Sequence, residues 1–371
     1  MHVRHIVRQF APMIGGLEDT VAQLAMHLQE LDGITCSVVT LDRAFGDPAR
    51  RLPPTGEHLG VPIRRIPFHG SSRYPLAPAV LRELHDADLI HVHGIDFFFD
   101  FLAATRPLHR RPLVASTHGG FFHTSFASQA KHIWFSSVTR ASAVGYRRIF
   151  GSSENDATMF RRIAPKRTIA IENGVNIEKW RGSASPTSQP TMIFIGRFSV
   201  NKNIPALIKL IAALGAPWRL ILAGQPSDLS EQDLRASTID LGVADRVEIH
   251  ANLIDLDIRA LIGRSSYVAS ASRYEGFGLS VVEGLSAGLT PLLSPIAPFR
   301  RLVERSGRGL VLDFDAPVAS AATVTAWHRD APLEIDRNVS AAAAFGWTRV
   351  ATRFADEYRA ALDGTPLHSG R

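Results

Sequence analysis

A single cysteine, Cys36, in 371 residues leaves no disulfide framework. No Cys/His cluster has the spacing of a zinc site either. No run of about 18 apolar residues occurs, which excludes a membrane-spanning helix. The opening Met1-His2-Val3-Arg4-His5 passes into a short apolar segment without the longer apolar core of a secretion signal, so a cytoplasmic protein is expected. Repeats of roughly 20–50 residues and low-complexity tracts are absent. There is no G-x-G-x-x-G, which counts against a nicotinamide dehydrogenase. What is present is apolar content of 45%, enough for real cores, on a chain long enough for two domains at roughly 150 residues each. Lys and Arg number 41 against 35 Asp and Glu, a net charge of +6. That balance suits an anionic partner such as phosphates, nucleic acid or a membrane surface, and solvated arginines account for it equally well.

Short apolar runs alternate with helical patterns. Strands are expected at 4–8, 36–41, 63–67, 89–93 and 113–116, with a helix at 17–31 where Val21, Leu24, Ala25, Leu28 and Leu31 recur at helical spacing. After a polar Gly/Ser/Pro stretch at 181–190 the pattern restarts. Strands follow at 192–196, 219–223, 246–250, 267–270, 290–294 and 309–312, with a helix at 202–214. A last helix, 347–362, places Val350, Ala351, Phe354, Tyr358 and Leu362 on one face. Alternation of this kind predicts an α/β protein of two doubly wound, Rossmann-like domains joined near 170–190, with ligands beyond the carboxyl ends of the strands.

Three loops at such ends carry unusual chemistry. Gly15-Gly16, between the first strand and first helix, allows close approach of backbone amides to a diphosphate; a plain tight turn is the simpler alternative. Gly196-Arg197-Phe198-Ser199-Val200-Asn201-Lys202-Asn203 offers two cations, Arg197 and Lys202, suited to a leaving pyrophosphate. The third loop joins a strand to a helix and carries Glu275-Gly276-Phe277-Gly278-Leu279, followed by Glu283 eight residues after Glu275. One carboxylate can accept from sugar hydroxyls and the other from a ribose diol, with the glycine amides between them holding the diphosphate or sugar.

Other features are weaker. Gly284-Leu285-Ser286-Ala287-Gly288 matches the G-x-S-x-G hydrolase elbow, but its serine falls inside a helix and not at a strand-to-helix turn. His91 and His93 alternate on one strand as a metal pair would, yet no third ligand is evident, and buried, satisfied histidines are commoner. His118 follows a strand end and is placed to hydrogen-bond a substrate. Phe97 and Phe98 with Arg110 and Arg111, and then Phe121 and Phe122, form aromatic-and-basic segments suited to contact with an anionic membrane surface; a core role for the aromatics is the alternative.

In order along the chain, the Gly-Gly loop, Ser152-Ser153-Glu154, Asn173-Gly174-Val175, the Gly-Arg…Lys pair and the two spaced glutamates resemble the retaining glycosyltransferases of family 4. Arg8-Gln9-Phe10, Ser71-Ser72-Arg73-Tyr74-Pro75, His93-Gly94-Ile95-Asp96, Ser116-Thr117-His118-Gly119-Gly120 and Ser153-Glu154-Asn155-Asp156 are similar to the α-mannosyltransferases of xanthan and acetan assembly. The resemblance implies the GT-B fold, two Rossmann-like domains facing a central cleft: 1–172, the acceptor side, completed by helix 347–371 crossing back, and 173–346, the donor side. It implies a GDP-mannose donor, a cellobiosyl-diphospho-polyprenol acceptor, exopolysaccharide synthesis at the inner face of the inner membrane, no nucleic-acid partner, and neither metal nor other cofactor. By the same resemblance Glu275 holds mannose, Glu283 the ribose, Arg197 and Lys202 the leaving diphosphate with the Gly15 and Gly16 amides, and His118 positions the donor sugar. Gly276, Phe277, Gly278 and Leu279 line the donor site. Lys202-Asn203 stands where many relatives have Lys-Gly. Another nucleotide sugar or acceptor, a sugar-nucleotide epimerase of the same fold, and a non-catalytic nucleic-acid- or anion-binding protein remain as alternatives.

Overall fold

The computed structural model describes residues 1–13, 15–72, 74–118 and 133–365. The chain divides into two compact units, Met1–Gly174 with Trp347–Arg371, and Val175–Gly346.

The first unit is built on an eight-stranded sheet. Its strands are β1 (His2–Val7), β2 (Thr35–Leu41), β3 (Thr55–His58), β4 (Val61–Ile66), β5 (Leu89–His93), β6 (Leu113–Ser116), β7 (Arg148–Gly151) and β8 (Thr168–Ala170), in the order β8-β7-β6-β5-β1-β2-β4-β3. All neighbours are parallel except β3 and β4. Central strands such as β5 and β6 are buried along their whole length, as expected for a parallel sheet covered on both faces. Helix α1 (Gly16–Gln29) buries Val21, Leu24, Ala25 and Leu28 against β1 and β2, the stripe that the sequence spacing predicts.

Helix α2 (Phe97–Ala104) begins at Asp96, whose carboxylate caps the helix by accepting from the Phe98 amide at 3.0 Å. It buries Phe97, Phe98, Phe99 and Leu102 in the core beneath β5 and β6. Phe97 and Phe98 are therefore not membrane contacts. A helix this apolar, laid against a sheet, gains more from burial than from exposure. Arg111 is half-buried and donates to the His85 carbonyl, whereas Arg110 is exposed. Phe121 and Phe122 lie outside the described residues. Helix α3 (Glu154–Arg161) follows β7 and is capped by Ser153, which accepts from the Asp156 amide.

The second unit carries six parallel strands: β9 (Thr191–Phe198), β10 (Arg219–Pro226), β11 (Val247–Ala251), β12 (Tyr267–Ser270), β13 (Thr290–Leu293) and β14 (Leu310–Val311), ordered β11-β10-β9-β12-β13-β14. Counted within the unit this is 3-2-1-4-5-6, the dinucleotide-fold order, whose topological switch lies between its first and fourth strands. Helices α4 (Ile204–Leu214) and α5 (Leu279–Ala287) follow those two strands. The polar stretch 181–190 belongs to this unit and is no tether: Trp180 and Ala184 are part of its core.

Helix α6 (Trp347–Leu362) belongs to the first unit, burying Ala351, Phe354, Ala355 and Tyr358 in the core shared with α1. Gly174 makes the return possible, since a Cβ there would lie 2.4 Å from the Trp347 ring.

Candidate active site

At the switch point of the second unit, the loops leaving β9 and β12 are stitched together. β9 runs two residues beyond the sequence expectation, so Arg197 is still in the strand, paired in register with Gln225, and its side chain is exposed. Val200–Lys202 then forms a single 3-10 turn, and α4 starts at Ile204, not at Lys202. Between them Asn203 adopts φ 51°, the left-handed region, where glycine is easiest and asparagine is among the few tolerated alternatives. Asparagine at this position therefore fits the turn.

The turn places Lys202 Nζ 2.5 Å from Glu275 Oε1. Ser272 Oγ donates to the same Oε1 at 2.8 Å, and Ser272 is itself braced by Ser270 Oγ at 3.0 Å and by Ser294, whose hydroxyl donates to the Ser272 carbonyl at 2.6 Å. Asn201 Nδ2 donates to the Tyr274 carbonyl at 2.8 Å, and the Arg273 amide to the Asn201 carbonyl at 2.9 Å. Among the described residues Glu275 is thus held through Oε1 alone, which leaves Oε2 for a ligand. Ser272 and Asn201 were missed by sequence reasoning. The only signal was Ser270-x-Ser272 just before the glutamate.

This pairing joins two residues that the sequence presents as separate. Lys202 is paired with Glu275, and Arg197 is the exposed cation, with no ion-pair partner among the described residues. Beyond Glu275 the chain turns through Gly276 into Gly278 at φ 92°, the residue before α5. A Cβ on Gly278 would sit 2.6 Å from the Phe299 ring, so both conformation and space demand glycine. Among the described residues the Leu279 and Ser280 amides of the first turn of α5 have no backbone acceptor and favour an anion, whereas the Val281 amide donates to the Gly278 carbonyl at 3.0 Å. Phe277 points the other way: its ring is buried, 5.8 Å from that of Phe345, so only its backbone is available to a ligand. Leu279 is exposed, and Glu283 is half-buried one turn further on. Ser286 is buried inside α5 and donates to the Glu283 carbonyl, so the G-x-S-x-G match is no nucleophile elbow.

In the first unit, β1 and β5 are the neighbouring strands at which the order reverses. Gly15 is extended and precedes α1. A Cβ on it would lie 2.3 Å from Glu18 Oε2, so the Glu18 carboxylate lies beside this glycine. His118, just past β6, sits at φ 52° and is half-buried. Its Nε2 lies 2.9 Å from His93 Nδ1, and His93 Nε2 lies 2.9 Å from His5 Nδ1. His5 is the third histidine that sequence reasoning did not find: it stands opposite His91 in the β1–β5 register. Ligand atoms of His5, His91 and His93 lie within 4.8 Å of one another. Both nitrogens of His91, however, are engaged, Nδ1 with the Tyr358 hydroxyl at 2.7 Å and Nε2 with Ser116 Oγ at 2.8 Å. The cluster is thus already hydrogen-bonded as imidazoles. Burial drives His5 down to about 3 and His118 down to about 4, and holds His91 and His93 well below the usual imidazole range.

Sequence and structure comparisons place this arrangement in a family. The chain matches the model "Glycosyltransferase Family 4" over residues 14–179 and "Glycosyl transferases group 1" over 176–344. It is 46% identical, over 98% of its length and 97% of the relative's, to the GDP-mannose:cellobiosyl-diphosphopolyprenol alpha-mannosyltransferase of Xanthomonas oryzae. It belongs to the family 4 glycosyltransferases. The enzyme of the same description from Xanthomonas campestris is 44% identical over 99% of this chain and 98% of its own. Among solved structures, Anabaena HepE in complex with UDP and glucose superposes with a TM-score of 0.70 at 20% identity, covering 97% of this glycosyltransferase and 100% of that chain. The fold of the glycosyltransferase is accordingly GT-B, with two Rossmann-like parallel sheets.

Proposed function

We propose that this enzyme transfers mannose from GDP-mannose, with retention, to a polyprenyl-diphosphate-linked glycan, cellobiosyl-diphospho-polyprenol, in exopolysaccharide synthesis. The observation that carries the reading is 46% identity across 98% of the chain to a relative of that description. The braced Glu275–Lys202 pair at the switch point of the second unit supports it, being suited to a sugar next to a diphosphate. In this reading Glu275 Oε2 accepts from mannose hydroxyls and Lys202 keeps that carboxylate oriented. Arg197 and the first-turn amides of α5 stabilise the charge developing on the leaving diphosphate, the term that is often largest in such transfers. Glu283 takes the ribose, Gly15 and Gly16 lend amides, and His118 hydrogen-bonds the substrate. With protein groups serving the diphosphate, the proposal needs no metal or other cofactor. Incubation with labelled GDP-mannose, with and without lipid-linked cellobiose, tests it. Label is expected in the lipid fraction only when the acceptor is present. Sugar-nucleotide turnover without acceptor would point to an epimerase, and no turnover with either would overturn the assignment.

Because a lipid-linked acceptor resides in a membrane, we also propose that the enzyme works at the inner face of the inner membrane, as a peripheral protein that binds anionic lipid and no nucleic acid. No helix among the described residues is long and apolar enough to cross a membrane. With Phe97 and Phe98 buried, the contact is better assigned to Leu108, Ile133, Trp134 and Val144, which are 42–73% exposed, together with exposed Arg110 and Arg140. Co-sedimentation with anionic liposomes is expected at low salt. No binding there would refute the membrane role.

A further inference from the structure

Three imidazoles in line inside a parallel sheet call for an explanation, because valine or leucine would fill those places without polar groups to satisfy. His5 on β1 and His93 on β5 are fully buried, and His118 stands at the carboxyl end of β6. Two contacts of 2.9 Å join them end to end: His5 Nδ1 to His93 Nε2, and His93 Nδ1 to His118 Nε2. His91, beside them, is satisfied separately by Tyr358 and Ser116 and takes no part.

We propose that His93 and His5 are positioning residues for His118, the in-line chain holding it in the tautomer that carries its proton on Nδ1, as a hydrogen-bond donor to the substrate. The inference rests on the reading above that His118 meets the substrate. A neutral imidazole has one donor and one acceptor nitrogen, so only two proton arrangements satisfy both contacts. In the first, His5 Nδ1–H donates to His93, His93 Nδ1–H donates to His118 Nε2, and Nδ1–H of His118 is left for a ligand. In the second, every donor is reversed. The buried end of the chain chooses between them, since His5 Nε2 has no hydrogen-bond partner among the described residues. Under the second arrangement that atom is a buried N–H without an acceptor; under the first it is only an unused lone pair, which folded proteins tolerate better. Burial keeps all three rings neutral, so the chain transmits orientation and not charge. The choice of tautomer by a hydrogen bond to the far nitrogen is the usual way in which a protein sets which face of an imidazole does the work.

Long-range proton–nitrogen NMR of the full chain labelled with nitrogen-15 histidine reads the tautomer without reference to activity. His118 is expected to show a protonated Nδ1 and a bare Nε2. His93→Leu is expected to mix the two tautomers and to lower kcat for mannose transfer at least about tenfold, with the KM for GDP-mannose changed less than about twofold. His93→Asn, which offers an amide donor near the place of Nδ1, is expected to restore both. A protonated Nε2 on His118 in the unsubstituted protein, or stoichiometric metal in the purified protein, would overturn the proposal, as would a His93→Leu enzyme with unchanged spectrum and kcat. If instead the unsubstituted enzyme transfers no mannose while its His118 spectrum is as expected, the fault lies in the assigned reaction and not in the chain of imidazoles.

Discussion

Substituting Lys202 and Glu275 singly and together gives the sharpest test of the second-unit site. The two groups are 2.5 Å apart, with side chains 19% and 15% exposed, so the pair is largely withdrawn from water. A charge-assisted hydrogen bond of this kind contributes about 1.5–3 kcal/mol. Removing either partner leaves the other partly buried and misplaced. Losing one preorganised group at a site of developing charge costs about 10²–10³ in rate, or about 2.7–4 kcal/mol. Lys202→Met and Glu275→Gln are each expected to lower kcat/KM by that amount. Were the residues independent, as a phosphate-binding lysine and a sugar-binding glutamate would be, the double variant would fall by about 10⁴–10⁶. Because Lys202 acts through Glu275, the double variant is expected to be little worse than the weaker single one, a coupling of about 2 kcal/mol or more. Arg197→Ala has no bond to either group, is expected to lower the rate by about 10²-fold, and should add in full to both. Initial rates of labelled mannose transfer to lipid-linked cellobiose measure all of these, with thermal melts to confirm folding. Losses that add to within about 0.5 kcal/mol for the Lys202 and Glu275 pair would refute the coupling, and wild-type rates in all three single variants would refute the site itself.

Three further outcomes concern stability. His5 and His118 bind protons only near pH 3 and 4 when folded, whereas an unfolded imidazole does so near its ordinary 6.5. The unfolded state therefore holds more protons as pH falls below 6.5, and stability is lost from there down through about 4, at about 1.4 kcal/mol per pH unit for each such imidazole; urea titrations should show the slope, and one that is flat between pH 6.5 and 4.5 would contradict neutral burial. Tyr358→Phe strips His91 Nδ1 of its buried partner and is expected to cost about 1–3 kcal/mol in urea unfolding, with no loss if water replaces the hydroxyl. Gly278→Ala meets both a left-handed backbone and the Phe299 ring, so a loss of at least about 1 kcal/mol is expected, together with lower transfer activity; an unchanged melt would show that the turn relaxes freely.

Much of the molecule was legible in the sequence for a local reason. Strand and helix periodicity, capping residues and the glycines of strand-to-helix turns are properties of neighbouring residues, and so the alternating β/α order, the final helix with its buried face, and the glutamates flanking a helix N-terminus could all be read from spacing. What periodicity could not assign was the inner or outer side of an unusually apolar segment. Phe97 and Phe98 read equally well as lipid contacts or as core, and only the sheet beneath α2 decided for core.

Contacts between residues distant along the chain were settled by tertiary structure alone. Lys202 and Glu275 are 73 residues apart and read as separate tools; parallel β9 and β12 lying side by side, with their loops leaving from the same edge, make them one. His5 is 88 residues from His93, and nothing in its neighbourhood marks it, yet the register of β1 against β5 turns a pair of strand histidines into a chain that reaches His118. Sequence alone determined which chemical groups this glycosyltransferase has and which elements carry them. Strand order and register, which depend on how sheets pair over long separations, decided which of those groups act on one another.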